Sequence, residues 1–269
     1  MNSTFLEAVA KDLLQKYGSN LSRIAVVFPN KRASLFMNEY LARLSDGPLW
    51  SPCYTTISDL FREKSELMVA DPIKLVCDLY RSYTEITGKD ETLDRFYGWG
   101  QLLLADFDDI DKNMADAHKV FANLRDIHEL DDIDYLSPEQ KNILKSFFHN
   151  FADDHLSKLK ERFFSLWCNL EEIYSDFNQR LAAQGLAYEG ALYRSVVEAQ
   201  VDYEFDKYVF VGFNVLNKVE QTLFSKLHEA GKALFYWDYD TFYLNKHPHE
   251  AGEFIRRNLK NFPSELPPS

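Results

Sequence analysis

Cysteine and long apolar runs are scarce in this sequence. It contains three cysteines, Cys53, Cys77 and Cys168, which are odd in number and widely spaced. They supply neither a disulfide framework nor a Cys-x-x-Cys metal site, so we expect buried thiols. No apolar stretch approaches the roughly 20 residues that cross a bilayer, and Glu7 and Lys11 stand where a signal peptide needs an apolar core. These absences predict a cytoplasmic protein without membrane contact.

Positive charge is also in short supply. The chain has 30 Lys and Arg against 42 Asp and Glu, a formal net charge of −12. Because Lys and Arg supply most of the affinity for phosphates, this balance predicts weak nucleic-acid binding by the chain alone. Much of the acidity lies in residues 101–137. We interpret this segment as a solvated helix face or loop rather than a metal site, because it lacks the glycine and glutamate of a calcium-binding loop.

Several apolar runs are present that end abruptly in turn-forming residues. Arg23–Phe28 stops at Pro29-Asn30, and Tyr208–Val211 stops at Gly212. Such runs are typical of buried parallel strands, whose carboxyl ends present functional loops. Two further strands are predicted at Pro52–Thr56 and Lys232–Trp237. The sequence therefore predicts an α/β fold with a parallel sheet.

Helical patterns surround and separate these strands. Phe5–Tyr17 and Lys31–Leu44 are predicted helices, and Ser58 is the expected N-cap of the helix after the second strand. From Asp71 to Ala199 the pattern is helical throughout, and Asp71-Pro72 predicts the first helix start because proline is tolerated in a first turn. The most regular apolar stripe of this region runs from Leu156 to Leu181. The last two predicted helices are Asn217–Ala230 and His249–Leu259.

These patterns describe one sheet interrupted by a large helical insertion. We predict the first part of the α/β domain over residues 1–70 and the insertion over residues 71–199. The second part of the α/β domain is predicted over residues 200–262. Residues 263–269 have the Pro- and Ser-rich composition of a linker.

Two loops resemble nucleic-acid-binding motifs. Arg23–Phe36 resembles motif Ia of superfamily 1 helicases of the UvrD and RecB kind, with Asn30, Lys31 and Ala33 on matching positions. Tyr54–Phe61 resembles their motif Ib. In that family the motif Ia loop touches the backbone of single-stranded DNA. The resemblance implies single-stranded DNA contacts by Asn30, Lys31, Arg32, Thr55 and Thr56.

The segments that would use ATP depart from the family pattern. Thr4 stands where the phosphate-binding loop Gly-x-x-Gly-x-Gly-Lys-Thr should end, and Gly212-Phe213 replaces the Walker B Asp-Glu. The other degenerate motif positions are Gln221, Asp238 and Asp240. The resemblance implies a P-loop-NTPase-like, RecA-like parallel sheet that lacks the Walker A loop and carries an all-helical insertion. It implies no catalytic residue, no metal and no cofactor.

A motor-like domain without ATPase residues resembles the AddB family of AddAB helicase-nuclease subunits and the analogous RecC subunit of RecBCD. Phe96–Asp111 also resembles a segment typical of AddB-like proteins. The resemblance implies a non-enzymatic domain of an exonuclease/helicase subunit in double-strand-break repair and recombination. An AddA-like motor subunit and single-stranded DNA are the implied partners. In that family a second motor-like domain and a PD-(D/E)XK nuclease follow.

Two other interpretations remain open. Asp238-Tyr-Asp240 follows an apolar strand, as in haloacid-dehalogenase-type phosphatases, where Asp238 would attack phosphorus and Asp240 would protonate the leaving group. That motif normally opens its domain, whereas here it lies near the end of the sequence. The third interpretation is a protein-interaction scaffold that does not bind DNA, to which the acidic surface and the helical insertion are suited.

Overall fold

A computed structural model describes residues 4–125, 154–245 and 252–267. The chain divides into two compact units, one formed by Met1–Ser65 with Tyr193–Ser269 and the other by Glu66–Leu192. The second unit begins and ends slightly before the insertion predicted over 71–199. Each unit has its own buried core.

The described residues contain short strands and longer helices. In chain order the strands are β1 (Ile24–Phe28), β2 (Cys53–Thr56), β3 (Met68–Val69), β4 (Leu186–Ala187), β5 (Lys207–Val211) and β6 (Ala233–Tyr236). The helices are α1 (Phe5–Tyr17), α2 (Arg32–Leu44), α3 (Ile57–Glu63), α4 (Pro72–Thr87), α5 (Leu93–Lys112), α6 (Ala117–Arg125), α7 (Asp154–Ala183), α8 (Glu189–Glu198), α9 (Lys218–Glu229), α10 (Thr241–Asn245) and α11 (Glu253–Asn261).

The first unit is built on a four-stranded parallel sheet with the order β2-β1-β5-β6. Val26 of β1 is in register with Tyr54 of β2 on one side and Val209 of β5 on the other. Val209 is in turn opposite Leu234 of β6. The prediction of an α/β fold with a parallel sheet is therefore confirmed.

The apolar sequences of β1 and β5 explain their central places in this sheet. All five residues of β1 are buried, as are four of the five in β5. Helices α1 and α2 cover one face through Val9, Leu13, Met37 and Leu41. An aromatic cluster packs against other parts of the sheet, with the ring centroids of Phe210 and Phe224 only 4.0 Å apart. Strands buried in this way read as continuous apolar runs, which is why they were predictable.

The segment after α11 packs against the edge strand β6. The amide of Glu265 donates a hydrogen bond to the carbonyl of Phe235 at 2.9 Å. The Glu265 carboxylate lies 2.6 Å from Lys16 Nζ, and the same ammonium lies 2.7 Å from Asp12. The Tyr236 hydroxyl donates to Asp12 at 2.5 Å. These contacts join part of the tail predicted as a linker to the first helix and the last strand.

The second unit consists mainly of α4, α5, α6 and α7. Asp71 caps α4 by accepting from the amides of Ile73 and Lys74, which confirms the helix start predicted at Asp71-Pro72. In α7 the carboxyl-terminal half of the predicted stripe is buried, whereas the side chains from Leu156 to Leu166 lie outside the described residues. The buried members are Leu170, Ile173, Phe177 and Leu181.

The prediction of helix throughout residues 71–199 is wrong at β4. Leu186 and Ala187 pair in parallel with Met68 and Val69 of β3. Gly185, with φ of +70°, ends the turn that leads from α7 into this strand. This pairing joins the two ends of the unit. Two residues are too few to show the alternation of apolar and polar side chains that identifies a strand in a sequence.

The acidic segment is only partly solvated. Asp111 is 2% exposed and accepts hydrogen bonds from the hydroxyls of Tyr174, at 2.6 Å, and of Tyr188. Asp108 accepts from the amide of Gly190 at 2.6 Å. The prediction of a solvated face is therefore wrong for Asp111. Residues 126–137 of the acidic segment lie outside the described residues.

Two smaller predictions are also corrected. The N-cap of α3 is Thr56 rather than Ser58, because the Thr56 hydroxyl accepts from the amide of Asp59. Cys53 is exposed rather than buried, since it lies on the edge strand β2, and Cys77 is only partly buried. The side chain of Cys168 lies outside the described residues. Within the ranges that the structure describes, the helices are too short or too polar to cross a membrane.

Candidate nucleic-acid interface

The carboxyl ends of β1 and β2 bring two of the predicted DNA-binding loops together. Phe28 and Thr56, the last residues of the two strands, are in register as parallel neighbours. The turn after β1 leads directly to Lys31. Lys31, Thr55 and Thr56 line one depression of about 200 Å³, together with Ser34, Tyr54 and Asp59. Ligands of parallel sheets collect at this edge, so the arrangement is a candidate binding site.

The turn after β1 is shaped by its own side chains. Asn30 Oδ1 accepts a hydrogen bond from the amide of Arg32 at 3.1 Å, and Ser34 Oγ donates to the carbonyl of Lys31 at 2.6 Å. Lys31 precedes α2 in a helical conformation and gives the helix no side-chain cap. The Asn30 amide group is therefore used to form the loop, while Lys31 and Arg32 project from it as exposed cations.

Asp59 is the main electrostatic partner in the depression. Its carboxylate lies 3.1 Å from Lys31 Nζ and accepts a hydrogen bond from the Thr56 hydroxyl at 2.9 Å. The Thr56 hydroxyl, followed by Lys31, holds the pKa of Asp59 below its ordinary value. Because the Lys31 side chain is 80% exposed, this ion pair is screened by solvent and is worth at most about 1 kcal/mol. Lys31 would therefore lose little interaction energy if another anion replaced Asp59.

The predicted threonines have different environments. Thr56 is 6% exposed, and its hydroxyl both accepts from the Asp59 amide and donates to the Asp59 carboxylate. Thr55 is half-buried, and its hydroxyl donates to the carbonyl of Thr56 at 3.3 Å. Thr56 thus holds Asp59 in place by capping α3, whereas Thr55 lines the depression with a more accessible hydroxyl.

Sequence analysis missed Asp59, although a signal for it was present. Thr56-Ile-Ser-Asp59 follows the capping pattern of a hydroxyl residue and an acidic residue three positions later. The pattern identifies a helix start. Only the parallel register of β1 and β2 brings the capping carboxylate to Lys31.

The turn after β5 carries a glycine and a buried aromatic ring. Gly212 has φ of +73°, a conformation that favours glycine. Phe213 is 5% exposed and packs edge-on against Phe210 and Phe224, with centroids at 6.1 and 5.4 Å. The turn therefore presents an apolar side chain to the core rather than a carboxylate to solvent.

The amino end of α1 lies beside this turn. A Cβ atom on Gly212 would lie 3.9 Å from Cε1 of Phe5, the first residue of α1. Thr4 caps α1 by accepting from the amide of Glu7 at 3.3 Å. Thr4, the predicted end of the phosphate loop, is thus next in sequence to Phe5, whose ring lies beside the predicted Walker B turn at Gly212.

The remaining motif positions have local roles. Gln221 Nε2 donates to the carbonyl of Leu216 at 2.9 Å and ties the start of α9 to the loop before it. Asp240 Oδ1 accepts from the amide of Phe242 at 2.8 Å at the start of α10. Asp238 is exposed after β6. These contacts stabilise loops and helix ends.

No protein-family model matches the chain, and no curated protein has a significantly similar sequence. A functional proposal therefore depends on the motif resemblances of the sequence and on the geometry of the described residues.

Proposed function

We propose that this chain contains a non-catalytic, helicase-like domain that guides single-stranded DNA in an AddB-like subunit of a recombinational repair complex. Its sheet would be a RecA-like frame without the Walker A loop. An AddA-like motor subunit would supply the ATPase activity. The observation that carries the proposal is the meeting of Lys31 and Thr55 at one carboxyl edge of the sheet, in a chain whose Walker B turn is Gly212-Phe213.

The charge distribution at this edge supports DNA binding. The chain as a whole is acidic, yet Lys31 and Arg32 are consecutive exposed cations and the first turn of α2 contains no acidic residue. The positive end of the α2 dipole adds to their potential. Asp59 offsets part of it through the exposed pair with Lys31. This balance is consistent with weak binding that depends strongly on salt.

The packing around Gly212 supports the absence of ATPase activity. Walker B carboxylates hold magnesium at the phosphates, and the buried Phe213 ring has no such capacity. Phe5 occupies the space next to the turn. Asp240 accepts a hydrogen bond from the Phe242 amide at the start of α10 and so acts as a helix cap in the structure. This contact adds no support to the phosphatase interpretation, which stays a prediction.

Fluorescence anisotropy with a labelled single-stranded oligonucleotide at low salt tests the proposal. We expect Lys31→Glu/Arg32→Glu to weaken binding. The slope of the logarithm of the association constant against the logarithm of the salt concentration should become less negative by roughly 1.4, because each phosphate contact of a single strand contributes about −0.7 and two cations are removed. The matched control is Arg95→Glu/Lys119→Glu, which makes the same change in net charge at exposed positions of the second unit.

The outcomes separate the alternatives. Binding that is lost in the first variant and kept in the control supports a DNA-guiding edge. Equal binding by wild type and both variants would remove this edge from the proposal. Binding of magnesium ATP by isothermal titration calorimetry would contradict the non-catalytic assignment, and magnesium-dependent phosphate release abolished by Asp238→Asn would favour the phosphatase.

A further inference from the structure

Two adjacent apolar side chains on α2 are exposed beside the candidate interface. Leu35 is 72% exposed and Phe36 is 50% exposed. The core-facing side of α2 is formed by Met37 and Leu41, one helical turn apart, and both are fully buried. Leu35 therefore faces away from the sheet, and Phe36 also lies outside this buried side of α2. Surface helices usually bury their large apolar side chains against the core, which stabilises the fold. Leu35 and Phe36 contribute little of this stabilisation.

Cations lie one turn before these side chains. Lys31 and Leu35 are four residues apart, as are Arg32 and Phe36, and residues at this spacing are neighbours on a helix surface. Among the described residues, the Arg32 guanidinium has neither a hydrogen bond nor an ion pair. The surface thus combines a cation that has no partner in the described part of the chain with a half-exposed aromatic ring.

A single-stranded nucleic acid matches this combination. Its phosphates would meet Lys31 and Arg32, and an unpaired base would stack on the ring one turn further along. A protein partner would need a much larger contact, since stable protein interfaces bury about 800 Å² on each side. One ring is sufficient for one base. The carboxyl-edge position of the cations also favours a phosphate-bearing ligand.

We propose that Phe36, with Leu35 beside it, is a base-stacking platform that makes this edge select single-stranded over double-stranded nucleic acid. The inference rests on the proposed DNA-guiding function and adds the means of selection. In a duplex both faces of each interior base are covered by neighbouring bases, so the ring has no partner along the duplex. Phosphate contacts alone would not distinguish the two forms in this way.

Anisotropy titrations with three labelled probes test the platform. The probes are a thymidine 20-mer, an abasic 20-mer with the same phosphates, and a 20-base-pair duplex. We expect Phe36→Ala to weaken binding of the thymidine strand roughly 5- to 150-fold and to leave the other two affinities unchanged. Phe36→Trp should keep the affinity, whereas Phe36→Leu should behave like the alanine variant. Leu102→Ala, at a position 69% exposed in the second unit, is the control.

Each outcome is informative. If Phe36→Ala binds the thymidine strand like wild type while Lys31→Glu/Arg32→Glu does not, the platform is refuted and the DNA-guiding proposal stands. Equal weakening on the thymidine and abasic strands would also refute stacking, because the abasic strand offers no base. If wild type binds none of the probes, the proposed function fails and the platform fails with it. Circular dichroism and thermal midpoints of all variants verify that this exposed position does not alter the fold.

Discussion

Removal of the Asp111 carboxylate should destabilise the second unit substantially. Asp111 is 2% exposed and accepts from the hydroxyls of Tyr174 and Tyr188. Tyr188 is also 2% exposed, and its oxygen accepts from Asn178 Nδ2 at 3.3 Å. In Asp111→Ala the Tyr188 hydroxyl proton loses the acceptor seen in the native structure. The hydroxyl is too deeply buried to find water easily.

The magnitude follows from the two lost hydrogen bonds. A buried hydroxyl left unsatisfied costs about 1–3 kcal/mol, and a hydrogen bond to a charged group contributes about 1.5–3 kcal/mol. The half-buried Tyr174 can turn towards solvent, and the variant no longer has to bury a carboxylate, which offsets part of the loss. We therefore expect Asp111→Ala to lower the free energy of unfolding by about 2–4 kcal/mol.

Urea unfolding followed by circular dichroism at 222 nm measures this change. Asp109→Ala is the matched control, because Asp109 is exposed on the same helix. Adding Tyr188→Phe to Asp111→Ala should recover part of the loss, since the double variant no longer buries the Tyr188 hydroxyl without an acceptor. A loss in Asp111→Ala no larger than that in Asp109→Ala would refute the reasoning. So would a double variant destabilised by the sum of the two single changes.

Two further predictions concern backbone conformation and pH. Gly212→Ala should destabilise the first unit by about 1–2 kcal/mol in urea unfolding, because the backbone there has φ of +73° and the nearest atom, on Phe5, is at an ordinary contact distance. The control is Gly98→Ala, in open space within α5, which should raise the free energy of unfolding by about 0.5–1 kcal/mol. Changes of the same sign in the two variants would contradict the strain argument. Burial, and to a smaller extent Tyr208, raises the pKa of Tyr203 from 10 to about 12. Between pH 10 and 12 the unfolded chain therefore loses this proton before the folded chain does, so the contribution of Tyr203 to the free energy of unfolding is present below pH 10 and lost as the pH rises to 12. Thermal midpoints from pH 9 to 12 should fall less in Tyr203→Phe than in wild type, and parallel curves would exclude Tyr203 as a cause.

Strands and helix starts were predictable where the physical cause is local. The continuous apolar runs of β1 and β5 and the turn residues after them identify buried strands without knowledge of their partners. Asp71-Pro72 predicts a helix start because one side chain caps the amides and the other residue fits the first turn. Each signal is contained within a few neighbouring residues.

Features produced by distant contacts were not predictable. β3 and β4 have two residues each, and their pairing depends on the path of the whole second unit. The burial of Asp111 depends on Tyr174 of α7 and on Tyr188, the residue before α8, so an acidic run could not distinguish Asp111 from its solvated neighbours. In the candidate interface, Lys31 and Thr55 were predicted separately, from the resemblance of their two segments to motifs Ia and Ib. Their common depression and the role of Asp59 required the register of β1 with β2.

The pairing of β1 with β5 also has a consequence for biosynthesis. The second unit is continuous in sequence and is complete on the nascent chain before β5 has been translated. At a translation rate of about 5–20 residues per second, roughly ten to forty seconds pass between the synthesis of β1 and that of β5, its partner in the centre of the sheet. During that interval β2 is its only strand partner already synthesised, among the strands that the structure describes. The five buried residues of β1 are then a natural segment for chaperones that hold extended apolar chain.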